Sequence, residues 1–135
     1  MMSEPIEVAA GLIFCEGRLL ITQRPAGGHL AGLWEFPGGK REPGETMPQC
    51  LQRELAEELG ITVIVGQCVE TLTHAYPEKT VRLEFYLCEL TGGEPAGLDG
   101  QQLAWVTPDE LDAYKFPAAD VRLLERLKTE TDWWK

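Results

Sequence analysis

One strongly helical segment interrupts a chain otherwise made of β-prone runs, and that interruption dictates the architecture. Thr46 stands three residues ahead of Gln49 in the capping-box pattern, Pro48 suits a first helical turn, and Gly60 supplies a stop. A helix over about residues 47–59 is predicted. Leu51, Leu55, Ala56 and Leu59 form its apolar stripe. Beside them Glu54, Glu57 and Glu58 fall at i, i+3 and i+4, so their carboxylates share a face. Like charges at that spacing cost an isolated helix roughly a few tenths of a kcal/mol per pair. A hard divalent cation offsets such repulsion, and carboxylate oxygens are the ligands Mg2+ and Mn2+ prefer. The plainer reading is a solvated acidic face.

Before the helix, residues 6–14 (IEVAAGLIF) and 18–22 (RLLIT) are apolar, β-prone runs. Cys15-Glu16-Gly17 splits them as a hairpin turn. Residues 23–32 read as a loop and 33–37 (LWEFP) as a short strand ahead of Gly38-Gly39. After the helix, residues 61–76 predict a long strand bent at Gly66, and Pro77-Glu78-Lys79 a turn. In residues 80–90, Val81, Leu83, Phe85 and Leu87 then alternate with Arg82, Glu84, Tyr86 and Cys88. A loop over 91–100, a strand over 101–106, a short helix over 108–113 capped by Thr107, and a final helix opened by Pro117 complete the order. Val121, Leu124 and Leu127 are the expected inward face of that last helix. Strands on both sides of a helix require a mixed sheet in an α+β fold.

With 44% hydrophobic residues in 135, the chain is expected to form one domain over residues 1–135 with a substantial core. Its formal charge of −10 argues against coating a nucleic-acid polymer, which demands excess Lys and Arg. A small polyphosphate is still admissible where cations invert the local sign. Cys15, Cys50, Cys68 and Cys88 show no ligand spacing. The first, third and fourth are expected as reduced core thiols, and Cys50 as helix packing. MMSEPIE lacks a basic region followed by an apolar run, and no stretch reaches membrane-spanning length. A cytoplasmic monomer or homodimer is expected, with no membrane partner.

Gly39, Glu45 six residues on, and Arg53-Glu54-Leu55-Ala56-Glu57-Glu58-Leu59-Gly60-Ile61 match Gx5Ex7REUxEExGU, U being a bulky aliphatic, at every defined position. This stretch resembles the Nudix box; a chance match in such a chain is on the order of one in ten million. QRP and GLWEFPGGK before it, and QxxAWV with FPAAD after it, are similar to the MutT branch of that family. The resemblance implies a mixed sheet sandwiched between helices. It also implies divalent-metal hydrolysis of a nucleoside diphosphate linked to another group, with Mg2+ the expected metal and Mn2+ an alternative.

By that resemblance Glu54, Glu57, Glu58 and the carbonyl of Gly39 are metal ligands, and Glu54 is the leading proton acceptor, although other branches use bases outside the box. Arg53 orients a glutamate such as Glu54, or forms a simple i,i+4 pair with Glu57. Glu45 positions water or braces its loop. Asp99 is either an additional acidic ligand or part of an ordinary Asp-Gly turn. Arg24 and Lys40 are phosphate contacts or solvated charges. Trp34 and Phe36 stack on a base or pack in the core. His29 and His74 lack partners at useful spacing and are read as surface or core imidazoles.

Asp120, in FPAAD, replaces the asparagine of the MutT pattern. An ionised Asp only accepts hydrogen bonds, which suits the amine of cytosine or the N1–H and N2–H2 of guanine; reading guanine O6 needs a protonated carboxyl or a backbone N–H. The alternative is an acid favoured in a helix's first turn. The expected activity is conversion of a nucleoside triphosphate such as 8-oxo-dGTP, or of CTP, dCTP or 5-methyl-dCTP, to monophosphate and pyrophosphate. The rivals are RNA 5′-end or dinucleoside-polyphosphate hydrolysis, a silent nucleotide sensor, and a partner-binding domain hinted at by Trp133-Trp134.

Overall fold

The computed structural model describes residues 4–25, 27 and 31–135; His29 lies outside them. The chain opens with a hairpin of β1 (Ile6–Cys15) and β2 (Arg18–Gln23). Glu16 at φ 52° and Gly17 at φ 77° make the two-residue left-handed turn that matches strand twist. Then come β3 (Trp34–Glu35), β4 (Gly38–Lys40), α1 (Met47–Leu59), β5 (Thr62–Ala75), β6 (Thr80–Gly92), β7 (Leu103–Val106) and α2 (Val121–Thr129). The sheet runs β3-β2-β1-β6-β5, with β4 paired to β1 and β7 to β2. β1 is antiparallel to β2 and β4 but parallel to β6 from Ile6↔Val81 to Phe14↔Glu89. The sheet is therefore mixed, as expected. The short strand expected over 33–37 is β3, and β4 lies just beyond it.

Two apolar clusters lie on the two faces of the sheet. Leu51, Leu55 and Leu59 of α1 pack with Ile13, Val63 and Tyr86; Leu123 and Leu127 of α2 pack with Leu12, Phe36, Phe85 and Trp134. Both halves of the α1 capping box form: Gln49 N–H donates to Thr46 Oγ1 at 3.2 Å and Thr46 N–H to Gln49 Oε1 at 2.9 Å. Gly60 ends the helix at φ 69°. Its buried stripe is Met47, Cys50, Leu51, Leu55 and Leu59. Ala56 is exposed, because the i,i+4 row through Leu55 already makes the sheet contact and Ala56 lies about 100° further round.

The inward face of α2 also differs in part from expectation. Leu124 and Leu127 pack inward as expected and are joined by Leu123, while Val121, at the first position after a 3-10 turn over Ala118–Asp120, is 57% exposed. Cys15 and Cys68 are exposed rather than core residues: one adjoins the hairpin turn and the other sits between register shifts of β5. β5 bends around Gly66 through those shifts. The terminal tryptophans dock on the chain itself. The Trp134 indole donates to the Leu127 carbonyl at 2.8 Å and meets the Phe14 ring edge-on at 5.1 Å, and Arg126 covers Trp133 at 4.9 Å. Among the described residues, no helix is long and apolar enough to cross a membrane.

The phase of α2 predicts contrasting alanine substitutions. Leu123→Ala should cost about 2–5 kcal/mol of unfolding free energy in urea titration, and Val121→Ala within about 0.5 kcal/mol of zero. Equal losses would show that the observed inward face is wrong.

Candidate active site

Two glycines let three elements converge. A β-carbon on Gly38 would lie 1.9 Å from the carbonyl oxygen of Ala9, and one on Gly39 would lie 2.3–2.7 Å from the carboxylate of Glu54. β4 therefore fits closely against β1, and α1 sets Glu54 directly against the Gly39 backbone. Arg53 then ties the surrounding loop to the helix. Its Nη2 and Nε donate to the two oxygens of Glu45 at 2.7 and 3.1 Å, and its Nη1 donates to Glu54 Oε1 at 2.9 Å and Glu57 Oε2 at 3.3 Å. Nη2 also donates to the Lys40 carbonyl at 3.0 Å. Both readings of Arg53 thus hold at once, with Glu45 as its forked partner. Glu45 also accepts from the Glu42 amide at 2.8 Å, so it braces its loop. Hydrogen bonds from Arg53, then from Glu42, hold its carboxyl down at about 2.

Glu58 lies one turn beyond Glu54 and faces a different environment. Burial, and then the charge of Glu54 and a hydrogen bond with it, push its carboxyl up to about 8, with Glu35 and Asp99 adding to the effect. Asp99 is brought near by the loop after β6, which satisfies open carbonyls at the end of α1. Ala96 N–H donates to Leu59 O and Leu98 N–H to Glu58 O, each at 3.1 Å. The Glu57 carboxylate stays with Arg53 and is largely exposed.

Among the described residues, no three His, Cys, Asp or Glu side chains converge closely enough to cage a metal ion by themselves. The resemblance adds the Gly39 carbonyl to Glu54 and Glu58, and oxygen donors of that kind would fit a hard divalent cation.

A cleft of about 420 Å³ opens over the sheet, lined by Gly39, Glu58, Arg24, Lys40, Phe36 and Asp120 among others. Asp120 is 7% exposed, and burial followed by the charge of Glu35 raises its carboxyl to about 6 against the pull of Arg24. Phe36 stacks on Phe116 at 5.1 Å and meets Phe85 edge-on at 5.9 Å while still lining the cleft. Trp34 packs edge-on against Tyr114 at 4.9 Å instead. His74 does likewise with Tyr76 at 4.4 Å.

Three cleft residues escaped the sequence reading. Glu35 pairs with Arg24 at 3.5 Å and is raised by burial; Tyr76 and Lys79 arrive from the β5–β6 turn. An acid between Trp34 and Phe36 was the available signal for the first. The other two carried none, because only strand pairing brings them here.

Comparison with known proteins agrees with this geometry. The NUDIX domain pattern matches residues 9–126. The chain belongs to the Nudix family. An 8-oxo-dGTP diphosphatase of Haemophilus influenzae is 45% identical over 127 residues, 93% of each chain. A CTP pyrophosphohydrolase of Escherichia coli is 41% identical over 120 residues, 89% of each. The crystal structure of a MutT protein from Methanosarcina mazei superposes with a TM-score of 0.84 at 27% identity, covering 96% of this chain and 98% of that one. The present chain has the Nudix fold and is a hydrolase of MutT type, a class that works with divalent metal.

Arg53 is predicted to be indispensable to this Nudix site. Arg53→Ala should lower kcat by about 100-fold through misplacement of Glu54 and Glu45. A steady-state rate within threefold of the parent would refute that.

Proposed function

We propose that the chain is a Mg2+-dependent nucleoside triphosphate pyrophosphohydrolase, converting 8-oxo-dGTP or a related (d)NTP and water to the monophosphate and pyrophosphate. It works in the cytoplasm as one catalytic domain. The observation that supports this best is a single cleft lined by Gly39 and Glu58, the three cations Arg24, Lys40 and Lys79, and a buried Asp120 with Phe36. Glu54, Glu58 and the Gly39 carbonyl would hold the cation, with Glu57 and Asp99 close enough in sequence or space to join. A bound divalent cation screens the polyphosphate and acidifies water. Arg24 and Lys40 steer the phosphate chain. Glu54 accepts the proton of the attacking water, and Arg53, fixed on Glu54 Oε1 at 2.9 Å, keeps that carboxylate in place. Arg53 and Glu45 act together as the brace. Phe36 offers the base an apolar wall.

Removing metal with a chelator should abolish turnover and added Mg2+ should restore it. Glu54→Gln should lower kcat by about 1,000-fold with the fold intact by circular dichroism. A turnover that persists under chelation would defeat the reading and favour a different hydrolytic chemistry.

One observation favours a cytidine nucleotide as the alternative substrate. With its carboxyl near 6, Asp120 is mostly ionised above neutrality and then only accepts hydrogen bonds; this serves the cytosine amine fully, and serves guanine N1–H and N2–H2 while leaving O6 without a donor. The CTP pyrophosphohydrolase of E. coli supports the cytidine reading, and the 8-oxo-dGTP diphosphatase of H. influenzae the first one. A silent sensor is disfavoured because every box carboxylate is present. Measuring kcat/KM for 8-oxo-dGTP, dGTP, CTP, dCTP and 5-methyl-dCTP decides between them. Asp120→Asn should reorder the series, and an unchanged order would remove Asp120 as base reader.

The same carboxyl gives a stability prediction. Its value is raised from an ordinary 3.8, so the fold favours the protonated form; that contribution is complete below about pH 4 and is lost as pH rises through about 6. Asp120→Asn should therefore gain up to about 3 kcal/mol over the parent at pH 8 and much less at pH 4.5. Urea unfolding at both values checks this, and a gain independent of pH would contradict it.

A further inference from the structure

Cys50 sits where α1 crosses β4, fully buried, with its Sγ 3.4 Å from the carbonyl oxygen of Gly39. The contact is directional: a thiol has one proton to give, and a carbonyl has two lone pairs to receive. Cys50 lies four residues before Glu54, so one side of the helix presents both groups to the same glycine. The thiol engages the carbonyl while the carboxylate fills the space a β-carbon would take. The next peptide is held from the same helix, since Arg53 Nη2 donates to Lys40 O at 3.0 Å and lies 4.0 Å from the Cys50 sulfur. Two successive carbonyls of β4 are thus fixed by neighbouring residues of α1.

We propose that Cys50 is a positioning residue, whose thiol orients the Gly39 carbonyl so that the oxygen's other lone pair is directed at the divalent cation. This rests on the reading that Gly39, Glu54 and Glu58 hold that cation. A hydrogen-bonded outer partner commonly sets the affinity of a metal ligand, and a weak S–H donor belongs at the low end of that effect.

The test uses the full chain and Mn2+ alone, titrated by calorimetry without nucleotide, for the parent, Cys50→Ala, Cys50→Ser and Glu54→Gln. Alanine and serine are both smaller than cysteine, so the difference between them isolates the donor. Cys50→Ala should bind Mn2+ about tenfold more weakly, and Cys50→Ser should recover to within about threefold of the parent. The thermal midpoints of the two metal-free variants should agree within a few degrees. Cys50→Ala binding as tightly as the parent would overturn the proposal while Glu54→Gln still weakened binding, leaving the cation reading intact. Equal losses in the alanine and serine variants would overturn it as well, by assigning Cys50 to packing. If Glu54→Gln binds like the parent, the cation reading itself fails, and the role of Cys50 with it.

Discussion

A carboxylate packed against a peptide that has no side chain is the contact on which the site depends. Glu54 occupies the volume that any residue but glycine would fill at position 39. That contact sets α1 against β4 and β4 against β1, and it leaves the Glu54 carboxylate only 16% exposed. A carboxylate so placed needs a partner. Arg53 provides one and is shared with Glu45, Glu57 and the Lys40 carbonyl, so a single guanidinium joins the loop, the strand and the helix. Glu58 has no such ion pair among the described residues, and burial followed by the charge of Glu54 raises its carboxyl. The imbalance between two acids one turn apart marks where positive charge is missing.

The cleft carries the same tension on its wall. Glu35 raises both Glu58 and Asp120, while Arg24 works against it on the Glu35 and Asp120 carboxyls. In a chain of formal charge −10, anionic substrate enters a locally acidic space. Arg24, Lys40 and Lys79 are the cations that line it. Added positive charge, such as a divalent cation supplies, would offset the acidity of this space.

Much of this was legible in residue order. The capping box, the stop at Gly60 and the fixed spacing from Gly39 to Ile61 define the helix and its acids through local chemistry alone. The bend of β5 at Gly66 was legible for the same reason. What escaped was set by contacts distant in sequence. Ala56 looked apolar enough to face the sheet, yet the Leu51–Leu55–Leu59 row had already filled that contact. Val121 fell to the surface because the inward face is centred on Leu123, Leu124 and Leu127, about 110° round the helix from it. Cys15 and Cys68 sat among apolar neighbours but at a turn and a bulge, where strand faces no longer alternate simply. Glu57 shares a helix face with Glu58 by spacing, yet Arg53 draws its carboxylate aside. Glu35, Tyr76 and Lys79 enter the cleft through pairings no local pattern reveals.

The parallel pairing of β1 with β6 carries a consequence for biosynthesis. Ile6 finds its neighbour only at Val81, and Phe14 only at Glu89. The innermost strand therefore leaves the ribosome well ahead of β6 and waits for it before one of its edges is covered. Closing so long a span is entropically slow, and an apolar strand left open invites pairing with another nascent molecule. On the opposite edge β2 pairs with Phe14 and Cys15 and β4 with Val8, Ala9 and Ala10, so that side can be covered during the delay.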